Sequence, residues 1–227
     1  MKRIKSRFTL IEMLAVAAIA SILIALITPA VQAMLFGSRV DHYTSNFKLG
    51  MERAQSKAVA ARKYVAMVLP SKHVDAPEEV KPYCKGGYRL AYVKKDGSSY
   101  KFDSWVEDWK NPNDGAMLLK VINDTDKADD APTAPGKDEA IFGLLNKVDG
   151  TLNGVGSACE NEHQALIFSP YGGLVNHDQA LYFTFSEAKF NGEDYELPNS
   201  DNFLVLKLNP VTGRISYFDP YAEAAAE

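Results

Sequence analysis

Phe8-Thr-Leu-Ile-Glu12-Met-Leu-Ala-Val-Ala-Ala-Ile-Ala-Ser-Ile-Leu-Ile-Ala-Leu-Ile-Thr-Pro29-Ala-Val-Gln-Ala-Met-Leu35 is the stretch that decides the architecture of this chain. It is almost wholly apolar, with one carboxylate, Glu12, near its start and no further charge before Arg39. Ahead of it stands a short tail, residues 1–7, whose ionisable side chains Lys2, Arg3, Lys5 and Arg7 are all basic. A bilayer core about 30 Å thick takes roughly 20 apolar residues of helix to cross, and this run supplies them. Basic residues before such a run hold its N terminus on the cytoplasmic side. A carboxylate inside the run is costly, so it is either paired or put to use.

Three ordinary readings compete for the segment. A cleaved secretory signal also starts basic and apolar and ends at small residues, which Val31-Gln32-Ala33 imitates. A simple signal anchor explains the hydrophobicity and the basic tail but leaves Glu12 without a task. A buried helix of a soluble protein fits least, because the run is long and begins directly after the basic tail.

The order of residues resembles a known family. Phe8-Thr-Leu-Ile-Glu12-Met-Leu14, the apolar run behind it and Pro29 at the twenty-second place from Phe8 are similar to the start of the type IV pilins and the type II secretion pseudopilins. In that family a membrane-embedded prepilin peptidase removes the basic leader and methylates the new N-terminal amine. Carried onto this chain, the resemblance implies a cut between Arg7 and Phe8, with Phe8 as the methylated N terminus. The family usually has glycine before the cut where this chain has Arg7, so retention of an uncut anchor is the competing expectation. The resemblance also implies that Glu12 pairs with the Phe8 amine of a neighbouring subunit and so sets the register of assembly. Without such a partner a carboxylate in hydrocarbon must take up a proton or find another cation; snorkelling of Glu12 to the headgroups is the other reading. Pro29 removes a backbone hydrogen bond and crowds the preceding turn. That gives either a kink that loosens the helix as it packs in a filament or a plain bend at the membrane exit.

Beyond the apolar run, Val40, Tyr43, Phe47, Met51, Ala54, Ala58 and Ala61 recur at spacings of three and four, with charged and polar residues between them. This predicts an amphipathic continuation of the helix, one face lying on a sheet. Tyr64 to Leu69, Leu90 to Lys94, Tyr100 to Phe102, Ala165 to Ser169, Ala180 to Phe185, Phe203 to Leu208 and Arg214 to Phe218 read as strands. Asp96-Gly97 marks a hairpin turn and Asn209-Pro-Val-Thr-Gly213 another. Met117 to Ile122 and Ala140 to Val148 are apolar runs of undecided type.

The expected fold class is therefore α+β, a long N-terminal helix packed on a mostly antiparallel sheet. Its divisions are a leader at 1–7, a membrane and assembly helix at 8–35, its amphipathic continuation at 36–62 and a β-rich globular domain at 63–227. Glu52 to Met67, Ile167-Phe-Ser-Pro-Tyr-Gly-Gly173 and Gly213-Arg-Ile-Ser-Tyr217 are similar to the helix-to-strand junction and the late strand motifs of the minor pseudopilin H and FimT group. Residues 71–163 match nothing in that group.

Other features weigh less. The net charge is −4, and because residues 1–7 carry four basic side chains the rest of the chain stands at −8. There is no basic stripe of the kind nucleic-acid binders carry, so no nucleic acid is expected. The acid-rich stretch Asn123 to Asp138 invites a calcium loop, but from Asp124 the required sixth-position glycine is Asp129 and the twelfth-position glutamate is Pro135. A solvated loop is the better reading, and neither metal nor cofactor is expected. Cys84 and Cys159 are the only cysteines. In an exported domain they point to one disulfide, with two buried thiols as the alternative. Trp105 and Trp109 beside Glu107 and Asp108 are read as partly buried aromatics, with an exposed sticky patch as the other option. No catalytic motif joins the histidines His42, His73, His163 and His177.

The resemblance thus implies a structural subunit of a type IV pilus or a type II secretion filament and not an enzyme. It would sit once across a bacterial inner membrane with its C-terminal domain outside the cytoplasm. Its partners would be other pilin subunits, the prepilin peptidase, the inner-membrane assembly platform and the bilayer. The competing expectation is an uncleaved, signal-anchored extracytoplasmic domain that binds a ligand or performs catalysis.

Overall fold

The computed structural model describes residues 10–70, 80–110, 115–123, 132–136, 141–142, 144–148, 163–191 and 194–218. Helix α1 runs from Leu10 to Ala61 and stays helical at Pro29. The chain divides into two compact units, Met1–Ser38 and Arg39–Glu227.

In the first unit the described side chains of α1, from Leu10 to Ile27, are exposed on all sides. The large apolar ones range from 53% exposed at Leu23 to 79% at Leu10. Ser21 interrupts the apolar surface little, because its hydroxyl donates to the carbonyl of Ala17, one turn back, at 2.7 Å. Among the described residues no helix is long and apolar enough to cross a membrane. The crossing expected over residues 8–35 therefore rests on the sequence.

In the second unit α1 becomes one-sided. Val40, Tyr43, Phe47, Met51, Ala54 and Ala58 are fully buried, as their spacing predicts. Ala61, expected on the same face, is exposed. It is the last helical residue, and the chain leaves the helix through Arg62 in the left-handed region (φ 53°). Lys63 N–H donates to the Ala58 carbonyl at 3.2 Å across this end.

Eleven strands follow among the described residues: β1 (Tyr64–Val68), β2 (Arg89–Asp96), β3 (Ser99–Trp105), β4 (Ala116–Ile122), β5 (Asn146–Val148), β6 (His163–Phe168), β7 (Leu181–Glu187), β8 (Lys189–Phe190), β9 (Tyr195–Glu196), β10 (Phe203–Leu208) and β11 (Ile215–Phe218). The undecided run at 117–122 is strand β4, and only 146–148 of the run at 140–148 is strand, β5. The short pair β8–β9 and a 3-10 turn at Lys81–Tyr83 carry no sequence signal of the kind used above.

Among the described residues every pairing is antiparallel, but the expected single sheet is two larger sheets and a two-stranded ribbon. One has the order β3-β2-β1-β6-β5, the other β11-β10-β7-β4, and the ribbon is β8-β9. The five-stranded sheet curls. Flat, its edges β3 and β5 would lie about 19 Å apart at the usual strand spacing, yet they have Cα atoms within 8 Å of each other. Its central strands are accordingly buried on both faces. Val65, Met67, Leu166 and Phe168 belong to the main core, whereas Ala66, Val68, Ala165 and Ile167 belong to a second core with Val80, Cys84 and Tyr100.

The buried face of α1 covers both sheets at once. The main core gathers Phe47 and its helical neighbours with Met67 and Leu166 of the five-stranded sheet and Phe183, Phe185 and Leu206 of the four-stranded one. Phe47 stands at the centre, with ring centroids 5.1 Å from Phe185, 5.9 Å from Tyr88 and 6.2 Å from Phe183. Gly50 permits this approach, since a Cβ there would fall 2.5 Å from the Tyr88 ring.

Candidate functional site

The residues singled out in the sequence fall into three groups. Glu12 and Pro29 are residues of α1. Arg7, Phe8 and Cys159 lie outside the described residues, as do His73 and the acidic positions 124–130. Both the cut between Arg7 and Phe8 and the Cys84–Cys159 pairing thus remain statements about the sequence. Cys84 itself is buried, and its thiol donates to the Val80 carbonyl at 3.8 Å.

The third group consists of residues that the fold brings together. Trp105 and Trp109 are partly buried against the second core. Their rings lie 6.0 Å apart and tilted by 53°, Phe102 lies 5.1 Å from Trp105 at 59°, and the Arg89 guanidinium sits 4.0 Å over the Trp105 ring. Flat ligands such as sugar rings stack on coplanar, open faces. These rings are tilted against one another and one face is already taken, an arrangement of packed side chains and not of a platform.

The two late motifs meet over the C-terminal turns of α1. Gln55 donates from its side-chain amide to the carbonyls of Gly172 (2.8 Å) and Thr212 (2.9 Å), holding the loop after β6 and the turn between β10 and β11 together. Leu174 N–H donates to the Pro210 carbonyl at 2.7 Å, linking the same two segments directly. Each loop is also braced from within. Asn209 Oδ1 accepts from the backbone of Val211 and Thr212, and Ser169 Oγ accepts from Tyr171 N–H. Gly213 has φ 66°, and a Cβ there would meet the Gly172 carbonyl oxygen at 2.2 Å. The sequence marked both motifs, but it gave no sign that Gln55 was their common partner. A glutamine on a helix flank looks like any solvated residue until the turns above it are placed.

Farther back along the helix, Ser45 Oγ and the Tyr217 hydroxyl share a 2.9 Å hydrogen bond, and Lys48 Nζ stands 5.4 Å over the Tyr217 ring. Strand β11 is thereby tied to α1. On the buried face the Tyr43 hydroxyl donates to the Gly86 carbonyl at 2.8 Å. Burial drives the Tyr43 hydroxyl pKa far above its ordinary value and that of Tyr195 up to about 12. Burial likewise raises the Glu187 carboxyl, against the pull of Arg39, and lowers the His177 imidazole, against that of Asp178.

His42 is exposed on α1 with Asn46 at 3.4 Å. Among the described residues no group of three His, Cys, Asp or Glu side chains converges on a point that would hold a metal ion. What the arrangement offers is surface: an all-round apolar helix in one unit, and in the other a braced pair of loops carrying exposed side chains.

No family model and no curated protein matches the chain. Among solved structures it is similar to the type IV minor pilin FimU of Pseudomonas aeruginosa in two crystal forms. One is 14% identical with a TM-score of 0.40, covering 81% of this chain and 91% of FimU. The other is 15% identical, also with a TM-score of 0.40, covering 79% and 92%. A likeness of that size does not by itself assign a fold.

Proposed function

We propose that this protein is a structural subunit, a minor pilin or pseudopilin, of a type IV pilus or type II secretion filament. Residues 8–35 anchor it in the inner membrane with the β-rich domain outside the cytoplasm. Prepilin peptidase removes residues 1–7, and the assembly platform transfers the apolar helix from lipid into a bundle of like helices. The observation that carries this reading is the change of character along α1. Its described side chains from Leu10 to Ile27, Ser21 apart, are apolar and exposed all round, whereas from Val40 onward the apolar residues gather mostly on one face, which is buried. A helix apolar on every side is stable only in lipid or among other apolar helices, and the same surface serves both stages. Glu12 then sets register by pairing with the Phe8 amine of the next subunit.

Intact mass and N-terminal sequencing of protein taken from membranes test the processing. A chain beginning at N-methyl-Phe8 is expected. One retaining Met1 to Arg7 overturns the processing and favours the uncleaved anchor, which the arginine at the cleavage position supports. Substituting Glu12→Ala is expected to leave membrane insertion intact and to reduce entry into filaments, and incorporation equal to wild type would remove the role given to Glu12.

A further inference from the structure

Three of the four edge strands of the larger sheets meet other segments. At the edge of β4, Leu118 N–H donates to the Lys85 carbonyl at 3.0 Å. Strands β3 and β5 approach each other as their sheet curls. Strand β11 pairs with β10 alone, in the register Lys207↔Ser216 and Leu206↔Tyr217. The Arg214 carbonyl accepts from Asn209 N–H at 2.9 Å and therefore faces β10. Backbone groups alternate in direction along an edge strand. Those of Ser216 and Phe218 thus point toward β10, and the N–H and C=O of Ile215 and Tyr217 point away. No described residue meets those four groups. They repeat about every 7 Å, the spacing at which a further strand pairs. The edge is open, with Ser216 exposed and Tyr217 at 48%. It is also held in place, because the Tyr217 hydroxyl is bonded to Ser45 of α1. An ordered edge gives up little entropy when a chain is added to it.

Charge narrows what that chain is. Residues 203–218, which form β10, the turn and β11, contain Lys207 and Arg214 and no carboxylate. Asp219, the next residue, lies outside the described residues. Neither Lys207 nor Arg214 forms an ion pair among the described residues. Lys207 stands opposite Ser216 with its Nζ 5.7 Å over the Phe218 ring. By strand alternation Arg214 belongs to that same face. On the other face Ile215 is buried in the main core and Tyr217 lies against α1, where Lys48 is already paired with Glu52 at 3.8 Å. One face of the edge is cationic and the other is apolar and aromatic.

We propose that the β11 edge takes up an extended acidic segment of a partner protein as a fifth strand of its sheet. Backbone hydrogen bonds at Ile215 and Tyr217 supply the pairing, and alternate side chains supply the selectivity. Carboxylates of the added strand lie on the face of Lys207 and Arg214, the one opposite Ser216 meeting Lys207 across that small side chain. Its other side chains are apolar and continue the row of Ile215 and Tyr217. This surface is separate from the apolar helix, and the proposal holds whether or not the chain enters a filament.

The test is amide hydrogen exchange of the full chain in detergent micelles, read by mass spectrometry on fragments covering residues 209–218. The probe is a blocked (Val-Glu)4 peptide, with (Val-Lys)4 and a (Val-Glu)4 peptide carrying a central proline as comparisons. At saturating (Val-Glu)4 the amides of Ile215 and Tyr217 are expected to exchange at least about tenfold more slowly, since exchange then requires the new strand to open. The proline peptide should bind about tenfold more weakly, because proline cannot donate to the ladder. Lys207→Glu with Arg214→Glu should weaken (Val-Glu)4 by about tenfold, with an unchanged thermal melt as the control for folding. Raising salt from about 0.1 M to about 1 M, which shortens the Debye length from about 10 Å to about 3 Å, should weaken it in the unsubstituted chain as well. Equal protection by (Val-Lys)4, or binding of (Val-Glu)4 that leaves these two amides unprotected, overturns the proposal. Protection of the same amides by duplex DNA or anionic vesicles overturns it too. So does protection without peptide that rises with protein concentration, which makes a second copy the occupant. Protection without peptide that disappears on deleting residues 219–227 assigns the edge to the chain's own tail and likewise overturns it.

Discussion

At the scale of single residues, Gln55 and Gly213 do unlike work at one spot. Gln55→Ala deletes two hydrogen bonds to carbonyls and leaves room for water, so it is expected to cost about 1–3 kcal/mol. Gly213→Ala puts a methyl group into the space of the Gly172 carbonyl at a positive φ, where the carbonyl cannot yield without breaking the clasp. Its cost should exceed that of Gln55→Ala, and urea denaturation of the two variants side by side checks the order. Tyr43 and Tyr195 make a pH prediction. Their hydroxyls ionise at higher pH when folded than when unfolded, where tyrosine titrates near 10. The stability they contribute is thus complete below about pH 10 and is lost as pH rises toward and through the folded value of about 12 for Tyr195. Tyrosinate absorbance should show late-titrating groups, and stability measured on the same samples should fall over that window.

At the scale of elements, the second half of α1 is a keel shared by two sheets, and its central aromatic is the sensitive point. Phe47→Ala empties the contact between Tyr88, Phe183 and Phe185 and is expected to cost about 3–5 kcal/mol, read from the shift in denaturation midpoint at unchanged slope. The amphipathic part of the helix and most strands are legible in the sequence, because burial on one face imposes a period that the residues must obey. Tyr64 to Val68 and Phe203 to Leu208 are runs of that kind. Three things were not legible. The run at 117–122 is buried along most of its length, and a wholly buried run has no alternation by which to tell strand from helix. The two-residue strands β8 and β9 are too short to show any period. Ala61 kept the helical spacing but fell at the turn where the chain leaves the helix.

At the scale of the whole molecule, the chain has two units, one whose described side chains are mostly apolar and exposed and one with its apolar side chains packed within. Removing residues 1–38 is expected to leave Arg39–Glu227 folded, with its thermal midpoint shifted by no more than a few degrees, and to abolish association with membranes or micelles. Circular dichroism and sedimentation of the truncated chain check both halves of that statement. A truncated chain that failed to fold would mean that the division at Ser38 does not separate independent structures.

The sequence alone carries the expectation of a non-aqueous setting for residues 8–35, and it determined that the helix turns amphipathic near Val40 and that strands follow. These are consequences of which side chains water rejects and at what spacing, and both are written locally. Only the tertiary structure decided that the strands divide between two larger sheets, that one of them curls until its edges approach, and that Gln55 joins two turns more than a hundred residues away from it. Those outcomes depend on contacts between distant segments, where shape and hydrogen-bond geometry, not local periodicity, select the arrangement.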